Sequence, residues 1–336
     1  MSANDFVSPT SSASSASSAS PAGSASPGAP AKTAPSTRAA PAEPQRSWGE
    51  RIQKWTSSSA LTAVVIVIAL IWLTPTFGIL VTSFRPATAI QSSGWWTAFA
   101  PPWHFTVTNY VNVLTSQGIG RAFLNSLIIA IPGTILPTLV AAFAAYAFSW
   151  MRFPGRDFLF LAIVAMLVVP IQMTLIPVLS IYTDVGQSGV QLTGTFLGIW
   201  LAHTAYGLPF AVYLLRNFFS ALPADLFESA RVDGASHWRI FTRILLPLSV
   251  PALASLIIFQ FIWVWNDLLV ALIYLSGNPD NAPLTVTVAN LVNSFGTNSY
   301  EVLTTAAFIS MALPLVIFFS LQRYFVRGIL AGSVKG

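Results

Sequence analysis

Six stretches of the chain, at 61–83, 123–150, 158–183, 195–218, 245–275 and 302–325, are apolar and long. Each exceeds the about 20 helical residues needed to cross a lipid hydrocarbon core. No other feature limits the fold as much. Inside lipid every backbone N–H and C=O must be paired within the protein, so a spanning segment is a helix or belongs to a closed barrel. None of the six alternates apolar and polar residues as barrel strands do. The expected fold is therefore all-α, with six transmembrane helices. A composition of 54% hydrophobic and 8% charged residues over 336 positions agrees, being too apolar for an ordinary water-soluble domain. The chain has no cysteine, which excludes disulfides, thiolate metal sites and a cysteine nucleophile.

The net charge of +5 raises nucleic acid as a partner, but the placement of the charge fits membrane topology instead. With the N-terminus inside, only Arg85 and Arg121 fall outside, and the other Lys and Arg residues fall on the cytoplasmic side. Excess Lys and Arg in short inner loops orients a bundle this way. Both termini are then cytoplasmic. Residues 1–55 are dominated by Ser, Ala and Pro and lack the apolar side chains needed to offset the entropy of ordering, so a disordered tail is expected. Residues 56–336 form the membrane domain. Several spans carry proline: Pro75, Pro132, Pro137, Pro170, Pro177, Pro209, Pro251 and Pro314. Each removes a helix hydrogen bond, and neighbours in the bundle must take up the carbonyls so freed.

Between the fourth and fifth spans lies a charged segment, the loop 222–244 with its continuation to Pro251. Pro223 suits a first helical turn, and Asp225 and Glu228 lie near the positive end of that helix. Gly234 can take the left-handed conformation that ends it. Ser236 can cap a second short helix carrying Arg239 and Arg243, which Pro247 then interrupts. Helices this short are marginal in water unless something docks them.

The ordered set Glu228, Ala230, Asp233, Gly234, Ala235, Phe241, Ile244, Leu246, Pro247 and Pro251 resembles the cytoplasmic EAA loop of bacterial ABC importer permeases, in its carbohydrate-importer form. Ser229 replaces the first alanine of the family triplet. The resemblance implies that Glu228, Ser229, Ala230, Asp233, Gly234 and Ala235 form a coupling helix seated in a cleft of a separate ATPase. The C-terminus resembles the shorter permease of maltose and alpha-glucoside importers. This implies that Gly332, Ser333, Val334, Lys335 and Gly336 reach the interface between two ATPase subunits. The implied partners are a second, non-identical permease, two copies of an ABC ATPase holding ATP and Mg, and an extracytoplasmic sugar-binding lipoprotein. No GxxxxGK motif followed by Ser or Thr occurs, so this chain lacks that phosphate loop; it is read as non-catalytic, with no cofactor and no metal of its own.

Asp267 stands inside an apolar run, where a carboxylate costs about 2.5–3.5 kcal/mol at the centre of a span. It should face the bundle interior, a partner or water. The triplet Trp265, Asn266 and Asp267 resembles the corresponding segment of carbohydrate permeases, and with Gln172 in the third span it is the expected substrate pathway. Tryptophan and tyrosine between the first two spans, Trp95, Trp96, Trp103 and Tyr110 among them, favour the membrane–water boundary. An ion-coupled secondary transporter is the alternative function. It needs buried ionisable groups, and Asp267 is nearly alone in the spans. Uptake that survives an uncoupler but stops on ATPase inactivation separates the two.

Overall fold

The computed structural model describes residues 48–275, 278–295 and 299–333. They fall into two units divided between Thr62 and Ala63. Of the first, only the opening of helix α1 (Trp48–Ser83) is described. The tail expected over 1–55 therefore lies, up to residue 47, outside the described residues.

Within the second unit, α2 (Ala87–Ser92), a 3-10 turn (Trp95–Phe99) and α3 (Thr108–Thr115) follow α1. Next come α4 (Ile119–Trp150), α5 (Arg156–Ala165), α6 (Ile171–Gln187) and α7 (Phe196–Ser220). A compact elbow contains α8 (Ala224–Val232), α9 (His237–Ile240), a π turn (Phe241–Leu245) and α10 (Leu246–Leu248). The chain ends with α11 (Val250–Trp265), α12 (Leu269–Tyr274), α13 (Leu284–Phe295) and α14 (Tyr300–Ser333). No strand occurs among the described residues.

Parts of α1 and α14, with the whole of α4 and α7, are long and apolar enough to cross a membrane unaided. The other two expected spans are not straight helices. The third bends by 105° between Val168 and Ile171. Pro170 is responsible, since its ring pushes Val169 out of helical geometry to an extended ψ of 117°. The fifth bends by 75° at Ser249. Pro247 does not end a helix there; the break falls just ahead of Pro251, which occupies the first turn of α11, where no N–H is required. The same expected span stops again at Asn266, and the Asp267 carboxylate accepts the amides of Val270 and Ala271 to start α12.

Three prolines within spans leave a carbonyl four residues back without its helical donor, and a side chain from another helix supplies each one. Trp200 donates its indole N–H to Ile128 O at 2.9 Å, the carbonyl vacated by Pro132. Gln260 Nε2 donates to Gly133 O at 3.3 Å, vacated by Pro137. Trp265 donates to Ser310 O at 3.0 Å, vacated by Pro314. Buried unpaired carbonyls are costly in an apolar surrounding; here they bolt α4 to α7, α4 to α11, and α14 to α11.

Two cores result. One gathers α4, α6, α7, α11, α12, α13 and α14 around Trp265, Tyr274 and Leu284. The other, at the elbow end, sets the small residues Ala141, Ala142 and Ala145 of α4 against Val212, Leu215 and Phe219 of α7. Small side chains let the helix backbones approach closely. At the opposite end the tryptophan-rich segment is folded. Arg85, buried, donates to Ala89 O, Ser93 O, Ser93 Oγ and Thr97 Oγ1. Asn109 Nδ2 spans the carbonyls of Ser83 and Arg85. Arg121 pairs with Asp280 at 2.7 Å on the surface.

Candidate functional site: the elbow between α7 and α11

The elbow is held from below by apolar side chains and a few directed bonds. Phe227 of α8 is fully buried and stacks on Trp150, the last residue of α4, with centroids 3.8 Å apart and planes at 18°. Arg231 Nη2 donates to Trp150 O at 2.9 Å, a carbonyl that the end of a helix leaves without an internal partner. The end of α8 is a Schellman turn: Ala235 N–H bonds Ala230 O, and Gly234 N–H bonds Arg231 O. Gly234 sits at φ 74°, and a Cβ there would meet nothing within 4 Å. Its backbone angle, not crowding, calls for glycine. The half-buried Ala230 and Ala235 are the residues that flank such a turn and pack together under it.

Ser236 Oγ accepts the Arg239 amide and starts α9. His237 Nδ1 lies 2.9 Å from the Tyr146 hydroxyl of α4. Phe241 stacks on Phe143 and meets Tyr146 edge-on. Ile240, Phe241 and Leu245 complete the second core. Glu228, Ser229, Asp233 and Gly234 stay exposed on the outer side of the elbow. One face of the elbow is fixed to the end of α4, and the other is exposed. Phe227, Trp150, Tyr146, His237 and Arg231 carry the fixing; Phe227, Arg231 and His237 lie in the loop 222–244, and Tyr146 and Trp150 lie on α4.

The residues expected along the pathway differ in their surroundings. Trp265 is 2% exposed, packed between Phe261 and Phe123, and engaged with Ser310 O. Asn266 is exposed, with its Nδ2 bonded to Ile262 O. Asp267 caps α12 and lies 3.8 Å from Nε2 of the fully buried His203. Gln172 is exposed on the first turn of α6. Among the described residues no cluster of three or more His, Asp or Glu can hold a metal.

Residues 138–331 match the family described as "Binding-protein-dependent transport system inner membrane component". The chain belongs to this family of inner-membrane permeases. The permease is 58% identical to an osmoprotective compounds uptake permease of Synechocystis sp. over 81% of its own length and 90% of the relative's. It is 57% identical to an alpha-glucoside transport system permease of Rhizobium meliloti, over 71% of its own length and 63% of that longer relative. A chain of a bacterial ABC transporter involved in the import of alginate shares the fold, with a TM-score of 0.67 and 23% identity over 84% of the permease and all of that chain. The permease is thus a multi-pass membrane subunit of a binding-protein-dependent transport system. Of its C-terminal stretch, Gly332 and Ser333 close helix α14, and Val334, Lys335 and Gly336 lie outside the described residues.

Proposed function

We propose that this permease is the shorter of two non-identical membrane subunits of an ATP-driven importer of alpha-glucosides and related small glycosides. The observation that carries the substrate class is the 57% identity with an alpha-glucoside permease. In this reading both termini are cytoplasmic, as the Lys and Arg distribution supports. The elbow residues Glu228, Ser229, Ala230, Asp233, Gly234 and Ala235 seat in a cleft of an ABC ATPase, of which two copies hold ATP and Mg. An extracytoplasmic sugar-binding lipoprotein delivers substrate to the opposite end. Residues 332–336 reach between the ATPase subunits. Asn266, Asp267 and Gln172 border the passage, and Trp265 positions that segment through its bond to α14.

ATP-driven closure of the ATPases displaces α8. Because Phe227 and Arg231 tie α8 to the end of α4, and α4 is bolted to α7 and α11, the displacement reaches the spans as a rigid-body movement. Coupling of this kind requires contacts that differ between two states of the bundle.

The permease has no cysteine, so a single introduced thiol reports alone. Ser229→Cys in membranes carrying the neighbouring gene products should cross-link to the ATPase, more readily than the half-buried Ala235→Cys. If neither captures the ATPase while uptake remains intact, the elbow does not contact the motor and the proposal is wrong.

A further inference from the structure

Where α6 swings away at Pro170, a groove opens between α7 and α11, with a volume of about 290 Å³. Tyr206, Phe210, Phe259 and Trp263 form its walls, and Gly207 and Gln260 lie at its floor. The volume sits at the lower edge of the about 300–1,000 Å³ usual for small-molecule sites, so one sugar ring fits.

The floor is not made for lipid. Gln260 is 3% exposed, and its amide orientation is fixed by chemistry. Gly133 O can only accept, so the nitrogen must face it, and the oxygen is turned the other way. Among the described residues that Oε1 receives no hydrogen bond. A Cβ on Gly207 would overlap the Gln260 amide, so this glycine leaves room for the amide at the groove floor. This oxygen is not among the buried unpaired atoms, so it is open to an occupant whose hydroxyl can donate to it.

Around that acceptor the walls are aromatic. Phe210 and Phe259 meet edge to face. The Tyr206 hydroxyl is held by Thr174 and Tyr274, which fixes its ring. The half-exposed Trp263 packs edge-on against His203, and its indole N–H donates to nothing among the described residues. Apolar walls with a few convergent polar groups match a molecule that has a C–H face and hydroxyls at its rim. A pyranose ring is such a molecule; an acyl chain has no hydroxyl to offer.

We propose that this groove is a pyranose-binding subsite of the translocation path, in which Trp263 and the Phe210–Phe259 pair take the ring face and Gln260 Oε1 accepts a sugar hydroxyl. It deepens the reading of the permease as a glycoside importer and rests on it.

The test uses the whole assembly, with partner permease, ATPase and binding protein, reconstituted in proteoliposomes and supplied with radiolabelled maltose or trehalose. Trp263→Ala should cut uptake about ten-fold, the equivalent of about 1.4 kcal/mol, and should change the ratio of maltose to trehalose transported. Trp263→Phe, which keeps a ring, should restore most of the rate. Unchanged uptake and an unchanged ratio in Trp263→Ala overturn the subsite. So does loss of the partner permease on purification of both variants, which makes the groove a seam between subunits. So does an equal loss for both sugars that Trp263→Phe does not rescue. Failure of the unmodified assembly to take up either sugar sinks the importer reading itself, a result read before any variant is compared.

Discussion

The Trp265 indole and the Ser310 carbonyl meet because Pro314 has no amide to give that carbonyl. The same logic explains Trp200 with Pro132, and Gln260 with Pro137. Each pairing has a testable consequence, clearest for Trp265. Trp265→Phe should destabilise the detergent-purified permease by about 1–3 kcal/mol, the cost of leaving a buried acceptor unmet. In a Pro314→Ala background the helix supplies its own amide, so the same substitution should cost measurably less. A thermal-denaturation double-mutant cycle with no coupling between the two sites would refute the pairing. At this scale the sequence is an incomplete guide. It shows that prolines free carbonyls, but the donor sits on another helix. The chain order places Trp265 beside Asn266 and Asp267 but does not show the Ser310 carbonyl that it meets.

At the scale of elements, the elbow is where local rules suffice. Gly234 and Ser236 act over three or four residues, and their turn and cap follow from sequence, whereas Pro223 stands just ahead of α8 rather than in its first turn. The docking of those short helices does not follow, because Phe227 finds Trp150 across the α4–α8 junction. Phe227→Ala should remove about 3–5 kcal/mol of packing beneath α8. In the reconstituted assembly, ATP hydrolysis should continue while sugar transported per ATP falls several-fold. A normal ratio, with α8 still protected from hydrogen exchange, would show that the stack does not transmit force. The bend at Pro170 belongs to this scale too. Proline predicts a break at Val169, and the structure gives its size, 105°.

For the whole molecule, the elbow core and the core at the opposite end share α4, α7 and α11. Under the proposed mechanism these shared helices carry movement from one end to the other, since tightly packed interfaces shift between discrete arrangements. If residues 332–336 help to synchronise the ATPases, deleting 330–336 should abolish stimulation of ATP hydrolysis by sugar-loaded binding protein while the assembly stays intact on purification. Full stimulation in the truncated assembly would remove the tail from the coupling route.

Sequence alone determined that the chain is helical and membrane-spanning, where its charged elbow lies, and which residues turn and cap that elbow. Hydrophobic length and backbone geometry are properties of contiguous residues. Tertiary structure decided which distant partner each of three polar side chains meets: Trp265 the Ser310 carbonyl, Asp267 the His203 ring, and Gln260 the Gly133 carbonyl. Those partners lie tens to more than a hundred residues away. In a medium with no water to compensate, the partner rather than the residue fixes the role.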